Sequence, residues 1–314
     1  MAATATPAAP PREMAVIGAG LMGGALAHLF SAAGWNVRVT DPMQPALDAL
    51  SARLAALRAA AAPRPAGAPP LGTGTALREL GPAVAGVEIV IEAAPEKPPL
   101  KQSLFAELAR LTTADTILAT NSSVIPVGTV AAQVDDVNAR RVIGTHFWNP
   151  PELIPLVEVI QGPRSDVAAV TRTMEILHGV GKQPVHVRRD VVPGNRLQHA
   201  LWREAMALVD EGVCAPEDVD AIIRNSFGLR LAVLGPLENA DLVGLELTAD
   251  IHRVVLPLLS RATTPSPGLL QRLESGARGV ASGSGFYQGW TEERVAALRK
   301  RLGEHVQRLL RERG

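Results

Sequence analysis

The chain has 314 residues, enough for one large domain or two ordinary ones with a sizeable core. Its 31 basic and 31 acidic residues cancel, so no basic surplus exists to attract nucleic acid or an anionic membrane surface. One cysteine, Cys214, excludes an intrachain disulfide and a cysteine-rich metal site and fits a reducing, cytoplasmic setting.

Residues 1–12 are rich in Ala and Pro and lack a basic stretch followed by an apolar one, so they are expected to form a short disordered tail rather than a signal peptide. No apolar run reaches membrane-spanning length. MAVIG, Met14–Gly18, reads as a buried strand, and GAGLMGGALAHLF that follows has Leu21, Ala25, Leu26 and Leu29 at helical spacing. WNVRVTD then gives a second strand ending at Asp41, completing a βαβ unit. A helix is expected over Asp41–Ala62, since Pro is tolerated in a first turn, followed by a Pro/Gly-rich loop at Pro63–Thr75. Further strands are expected at Val87–Glu96, Thr116–Thr120, Arg141–Phe147, LVEVI and Gln183–Val187, with helices at KQSLFAELARL and at Ser165–His178. This alternation predicts a doubly wound α/β (Rossmann) domain with a mostly parallel sheet over residues 13–188.

Past Arg189 the pattern becomes helical throughout, giving an all-α C-terminal domain over residues 189–314. Its helices include Asn195–Gly212, with Leu197, Leu201, Ala205, Leu208 and Val209 on one face, and a charged amphipathic helix at the C-terminus.

The motif Gly18-Ala19-Gly20-Leu21-Met22-Gly23 follows a strand, opens a helix, and precedes Asp41 by eighteen residues counted from Gly23. In that context it is a dinucleotide fingerprint: Gly18 for the turn, Gly20 for approach to the pyrophosphate, Gly23 for helix packing, and helix N–H groups for the phosphates. Asp41 would bond the ribose diol and repel a 2′-phosphate, which favours NAD over NADP. Glu92, Glu96 and Lys97 in IEAAPEK lie where the nicotinamide ribose would be, or form a solvated loop. In TNSS, Asn121 is placed toward the cofactor, and Ser122 is either a helix cap or a hydroxyl that bonds substrate.

THFWNPPELIPLVEV sets His146 and Glu158 twelve residues apart in apolar, Pro-broken sequence. Of the seven histidines, His146 is the one that ends a strand of the sheet with a Glu on the nearby strand. The two are a satisfied core pair, or a general base and the carboxylate that orients it. A dehydrogenase needs such a base where hydride leaves, and imidazole suits proton abstraction near neutral pH. No metal site is expected.

Together GAGLMG, IEAAPEK, TNSS, THFWNPPELIPLVEVI, NRLQHALWREAMALVDEG and GPLENADLVGL resemble the 3-hydroxyacyl-CoA dehydrogenase family over about residues 13–290. The wording is similar to the branch holding gulonate 3-dehydrogenase (lambda-crystallin) and carnitine dehydrogenase. The resemblance implies His146 as base, Glu158 as its partner, Ser122 as the hydroxyl on the substrate oxygen, and Asn149 and Asn195 as further site amides. It also implies a homodimer formed through the helical domain. In two places the chain departs from the family. DVVPGNR, Asp190–Arg196, is about two residues shorter than the family's corresponding stretch, and Asp41–Glu92 lacks the long Lys-rich helical arm of the acyl-CoA members. The expected function is NAD-dependent oxidation of a 3-hydroxy acid or 3-hydroxyacyl thioester. The alternatives are action on another small alcohol or aldehyde, or a non-catalytic, crystallin-like NAD-binding protein.

Overall fold

A computed structural model of the chain describes residues 12–61, 68–69 and 71–313. The expected tail lies outside these residues except for Arg12, and so does most of the Pro-rich part of the expected 63–75 loop. Arg12 itself is part of the fold: its guanidinium bonds the Glu88 carboxylate at 2.7 Å and lies over the Trp35 ring at 4.1 Å. The chain divides into two compact units, one ending at Pro193 and the other starting at Gly194.

The first unit holds an eight-stranded sheet: β1 (Glu13–Ile17), β2 (Asn36–Thr40), β3 (Gly74–Leu77), β4 (Ile89–Glu92), β5 (Ile117–Thr120), β6 (Val142–Phe147), β7 (Leu156–Ile160) and β8 (Gln183–Val187). The strand order is β3-β2-β1-β4-β5-β6-β7-β8. Every pairing is parallel except β6 with β7. The helices are α1 (Leu21–Ala32), α2 (Gln44–Ala60), α3 (Leu80–Val84), α4 (Pro98–Leu111), α5 (Val127–Val130), α6 (Asp136–Ala139) and α7 (Val167–Gly179).

Strand alternation sorts side chains into two cores. Met14 and Val16 join the core that contains Leu26 of α1, Leu50 of α2 and Leu177 of α7. Ala15 and Ile17 join a second core with Val84 of α3, Phe105 of α4 and Val130 of α5. With both faces covered, the central strands β4, β5 and β6 are buried along their whole length. α2 buries Leu47, Leu50 and Leu54, one helical stripe, and carries Pro45 at its start. β3 corrects the expected loop: its residues are mostly exposed, and backbone pairing to β2 creates the strand without an apolar pattern.

The second unit consists of α8 (Pro193–Asp210, which begins at the boundary), α9 (Pro216–Asn225), α10 (Phe227–Arg230), α11 (Pro236–Val243), α12 (Leu245–Val255), α13 (Pro267–Glu274) and α14 (Glu292–Arg313). Among its described residues, Val219 is the one apolar side chain buried as deeply as those of the α/β cores, at 6% exposure. Leu229, Val233, Leu237, Leu242, Val254 and Leu258 are exposed.

Candidate active site

The Gly-rich turn links β1 to α1 at the carboxyl edge of the sheet. Gly18 has φ +104°, and a Cβ there would come 2.7 Å from the Ala93 carbonyl. At Gly23 a Cβ would fall 1.8 Å from the Gly18 carbonyl, so only glycine lets α1 pack this close. Gly20 is the N-cap of α1 and brings no side-chain cap, and nothing lies within 4 Å of where its Cβ would be. The turn therefore leaves room for a phosphate against the first amides of α1. Leu21 and Met22 form the first turn of this helix, with Leu21 largely exposed.

A crevice of ≈ 780 Å³ opens beside this turn, lined by Gly18, Gly20, Met22, Asp41, Glu96 and Asn121 among others. Asp41 accepts hydrogen bonds from the amides of Ala19 and Met43, each at 2.8 Å, which fixes its carboxylate at the end of β2. Arg53 donates to the carbonyls of Ala19 and Gly20, so its charge is used to hold the same turn. The crevice, its uncapped helix start and its carboxylate at the end of β2 fit a dinucleotide with a free ribose diol.

Glu92 departs from the expected role. Its side chain is 0% exposed, with its carboxylate bonded to the Lys101 ammonium at 2.8 and 2.9 Å, the Thr120 hydroxyl at 2.7 Å and the Ala94 amide at 2.5 Å. It braces the ends of β4 and β5 rather than facing a ligand. Lys97 is exposed as the N-cap residue of α4 and does not line the crevice. Lys101, which sequence reasoning passed over, does line it, with its ammonium also 3.6 Å from Glu96. A usable signal was present: Lys101 sits on the same α4 stripe as buried Phe105 and Leu108, an apolar position that a Lys takes only with a partner.

Ser122 is not a helix cap, since the next helix begins at Val127. Its hydroxyl donates to Glu96 at 2.8 Å and accepts from the Ile125 amide at 2.8 Å, folding the loop after β5 on itself. Asn121 accepts from the Phe147 amide at 3.0 Å, which ties this loop to the end of β6.

His146 and Glu158 are directly opposed in the antiparallel β6–β7 register. The imidazole Nδ1 lies 2.7 Å from Glu158 Oε2, with the residues 4% and 3% exposed. An ionised Glu158 accepts, so the proton sits on Nδ1 and Nε2 is left as the basic nitrogen. The Trp148 indole N–H also reaches Glu158 Oε2, at 3.3 Å. Asn149 is exposed at the start of the loop that joins β6 to β7. Lys182, just before β8, pins that loop by donating to the carbonyls of Pro151 and Ile154, the latter at 3.0 Å. Burial holds Lys182 down from 10.5 to about 8, with the nearby Glu152 pulling the other way.

The shortened DVVPGNR stretch is anchored: the Asp190 carboxylate accepts from the amides of Val127 and Gly128, at 2.6 and 2.7 Å, at the start of α5. Asn195 is the third residue of α8 and partly buried within the helical unit. Among the described residues no group of acidic, His or Cys side chains is placed to hold a metal ion, and no helix is long and apolar enough to cross a membrane.

Sheet order, Gly turn and crevice define a Rossmann dinucleotide-binding unit, and the family to which the chain belongs makes it an NAD-dependent oxidoreductase acting on CH–OH groups. Residues 13–191 match the 3-hydroxyacyl-CoA dehydrogenase NAD binding domain and residues 193–289 the C-terminal domain of the same family, and the chain belongs to that family. It is 32% identical over 292 residues to 5-formyl-3-hydroxy-2-methylpyridine 4-carboxylate 5-dehydrogenase of Mesorhizobium japonicum, covering 91% of this chain and 93% of that protein. A crystal structure of an enzyme of that name, described as an NAD+ dependent dismutase, superposes with TM-score 0.84 at 31% identity, covering 97% of this chain and 98% of that one. L-carnitine dehydrogenase of Streptomyces griseus is 39% identical over 284 residues, with 82% of each chain covered. The 3-hydroxyadipyl-CoA dehydrogenase of Escherichia coli is 33% identical, covering 91% of this chain and 61% of that protein.

Proposed function

We propose that this enzyme oxidises the hydroxyl of a small free hydroxy acid, rather than a CoA thioester, and works as a cytoplasmic homodimer. The observation that carries the chemistry is the buried His146–Glu158 pair at 2.7 Å, on the strand next to the loop that borders the NAD crevice. NAD, when bound, supplies the hydride acceptor. His146 takes the hydroxyl proton at Nε2, and Glu158 stabilises the imidazolium that results. The Ser122 hydroxyl orients the substrate oxygen by exchanging its bond to Glu96 for one to the substrate. Asn195 and Asn149 enter from the family resemblance, as amides that help hold the substrate. Asp41 bonds the ribose diol, Glu96 and Asn121 border the nicotinamide side, and Lys97 stands outside the crevice.

Two features support a small substrate. The 3′-phospho-ADP handle of CoA calls for cations that pair with phosphate. The Asp41–Glu92 stretch contains no Lys, and of its cations Arg53, Arg58, Arg64 and Arg78, Arg53 is committed to the Gly turn and Arg78 lines the crevice that would take NAD. Two of the relatives above are named for small free molecules, a pyridine carboxylate and carnitine. The homodimer is supported by the helical unit, whose apolar side chains have too little interior of their own. A single cysteine supports the cytoplasm.

The test is NADH formation from NAD with carnitine, gulonate, free 3-hydroxy acids, the pyridine aldehyde acid and 3-hydroxyacyl-CoAs. Turnover of a free acid or alcohol is expected. Turnover confined to thioesters, with a large loss of kcat/KM on shortening CoA to pantetheine, overturns the substrate reading.

A further inference from the structure

We propose that Trp148 is a positioning residue for the His146–Glu158 pair, its indole N–H sharing the carboxylate oxygen that the imidazole uses and so moderating how strongly Glu158 acts on His146. The inference rests on His146 and Glu158 being base and partner, and is independent of which substrate is used.

The placement follows from the strand. Side chains two residues apart on a strand point to the same face. Trp148, the residue after β6, therefore continues the face on which His146 stands. Glu158 is directly opposite His146, and so lies on the diagonal from Trp148, within reach of a long side chain. Both donors converge on one atom: Glu158 Oε2 is 2.7 Å from His146 Nδ1 and 3.3 Å from Trp148 Nε1. The two rings sit edge-tilted, 5.6 Å between centroids and 58° between planes. An indole N–H buries at little cost only when it has an acceptor, and here that acceptor is the carboxylate of the pair.

A hydrogen bond to a carboxylate stabilises its negative charge and weakens its pull on a second partner. Trp148 thus does two things at Glu158. It fixes the carboxylate's orientation, which sets the direction of the imidazole. It also takes part of the charge that would otherwise stabilise the imidazolium, which lets His146 return its proton more readily in the reverse reaction. Among the described residues, the charged and titratable groups on neighbouring elements include Glu92, Glu96 and Lys101 on the β4 and α4 side, Lys182 with Glu152 on the β8 side, and His28 of α1 and Arg58 of α2 near Glu152. None of them changes when Trp148 is replaced by Phe, which keeps a ring and removes the N–H.

The experiment is an NMR titration of the histidine side chains in the NAD-bound protein, with His146 assigned by loss of its signal in His146→Gln. In Trp148→Phe the His146 midpoint should move to higher pH, by about half a pH unit, the scale of a fraction of one charge-assisted hydrogen bond. In Glu158→Gln, adding Trp148→Phe should move it no further. In the wild-type protein, followed without any substitution at 148, the Trp148 indole N–H resonance should titrate together with His146. A midpoint unmoved by Trp148→Phe, an equal shift in the Glu158→Gln background, or an indole resonance that ignores the His146 titration overturns the proposal. A Trp that merely filled space would give those results.

Discussion

The Lys101 ammonium lies 2.8 Å from one oxygen of Glu92 and 2.9 Å from the other, with both side chains closed off from solvent. Removing one partner of such a pair strands the other charge in the interior, which typically costs about 3–5 kcal/mol. Lys101→Met should therefore lower stability by roughly that amount. Glu92→Leu combined with Lys101→Met should lose less than Lys101→Met alone. Urea unfolding of the three proteins decides it, and a single-variant loss under about 1 kcal/mol would show that water reaches the pair.

His146→Gln should bind NAD as the wild type does and lose roughly 10²–10⁴-fold in kcat, the range for a positioned general base. Glu158→Gln should lose less and should move the acid limb of the pH–rate profile. A His146→Gln enzyme with near-normal kcat across pH would return this pair to the status of a core contact.

Asp41 has two tasks, and Asp41→Ala should expose both. It is the carboxylate that would exclude a 2′-phosphate, so the preference for NAD over NADP should relax. It also accepts the Ala19 and Met43 amides, so NAD affinity should itself weaken. Asp41→Asn, which keeps an acceptor without the charge, should relax the preference with less loss of affinity. Steady-state kinetics with both cofactors separates the two effects. Wild-type enzyme that uses both equally would refute the role.

Lys182 predicts a pH effect. Below about 8 the folded and unfolded chains both carry its proton, and the folded one bears the cost of a buried charge. Between about 8 and its ordinary 10.5, the folded chain has lost that proton and the unfolded chain retains it. The unfolded state binds more protons there, so this group makes stability rise with pH through that window. In Lys182→Met this contribution vanishes, and the wild type should gain on the variant as pH rises from 8 to 10. A constant difference between the two unfolding free energies would mean that Lys182 titrates normally.

Sedimentation at micromolar concentration should show a two-fold homodimer. Leu237→Glu and Leu258→Glu together should shift it toward monomer, since both side chains are exposed apolar positions of the helical unit. A wild-type monomer would refute the assembly.

Much of this arrangement was legible in the sequence because it is written in local patterns. β1 and β4 carry uninterrupted apolar runs, Met14–Ile17 and Ile89–Ile91, and two glycines of the turn are demanded by backbone contacts that any Rossmann βα turn makes. β3 was not legible: it is a short edge strand whose residues face solvent, so nothing but its pairing with β2 marks it. The burial of Glu92 and the presence of Lys101 beside it were not legible for the opposite reason. Charges in a sequence read as surface, and only the fold reveals that two of them nine residues apart neutralise each other inside it. His146 and Glu158 stood out, but the indole of Trp148 on the same oxygen depends on a diagonal across two antiparallel strands, which residue spacing alone does not disclose.

The uneven distribution of interior between the units has a consequence for how the protein is made. The α/β unit precedes the helical one in the chain and owns two complete cores, so it can mature while the rest is still being synthesised. The helical unit emerges after it and brings almost no interior with it. If a second copy covers its apolar faces, completion becomes a bimolecular step, paced by how often two nascent or newly released chains meet. Dilute expression would then leave molecules that already bind NAD through one half while the other half waits for a partner and stays open to proteases and chaperones.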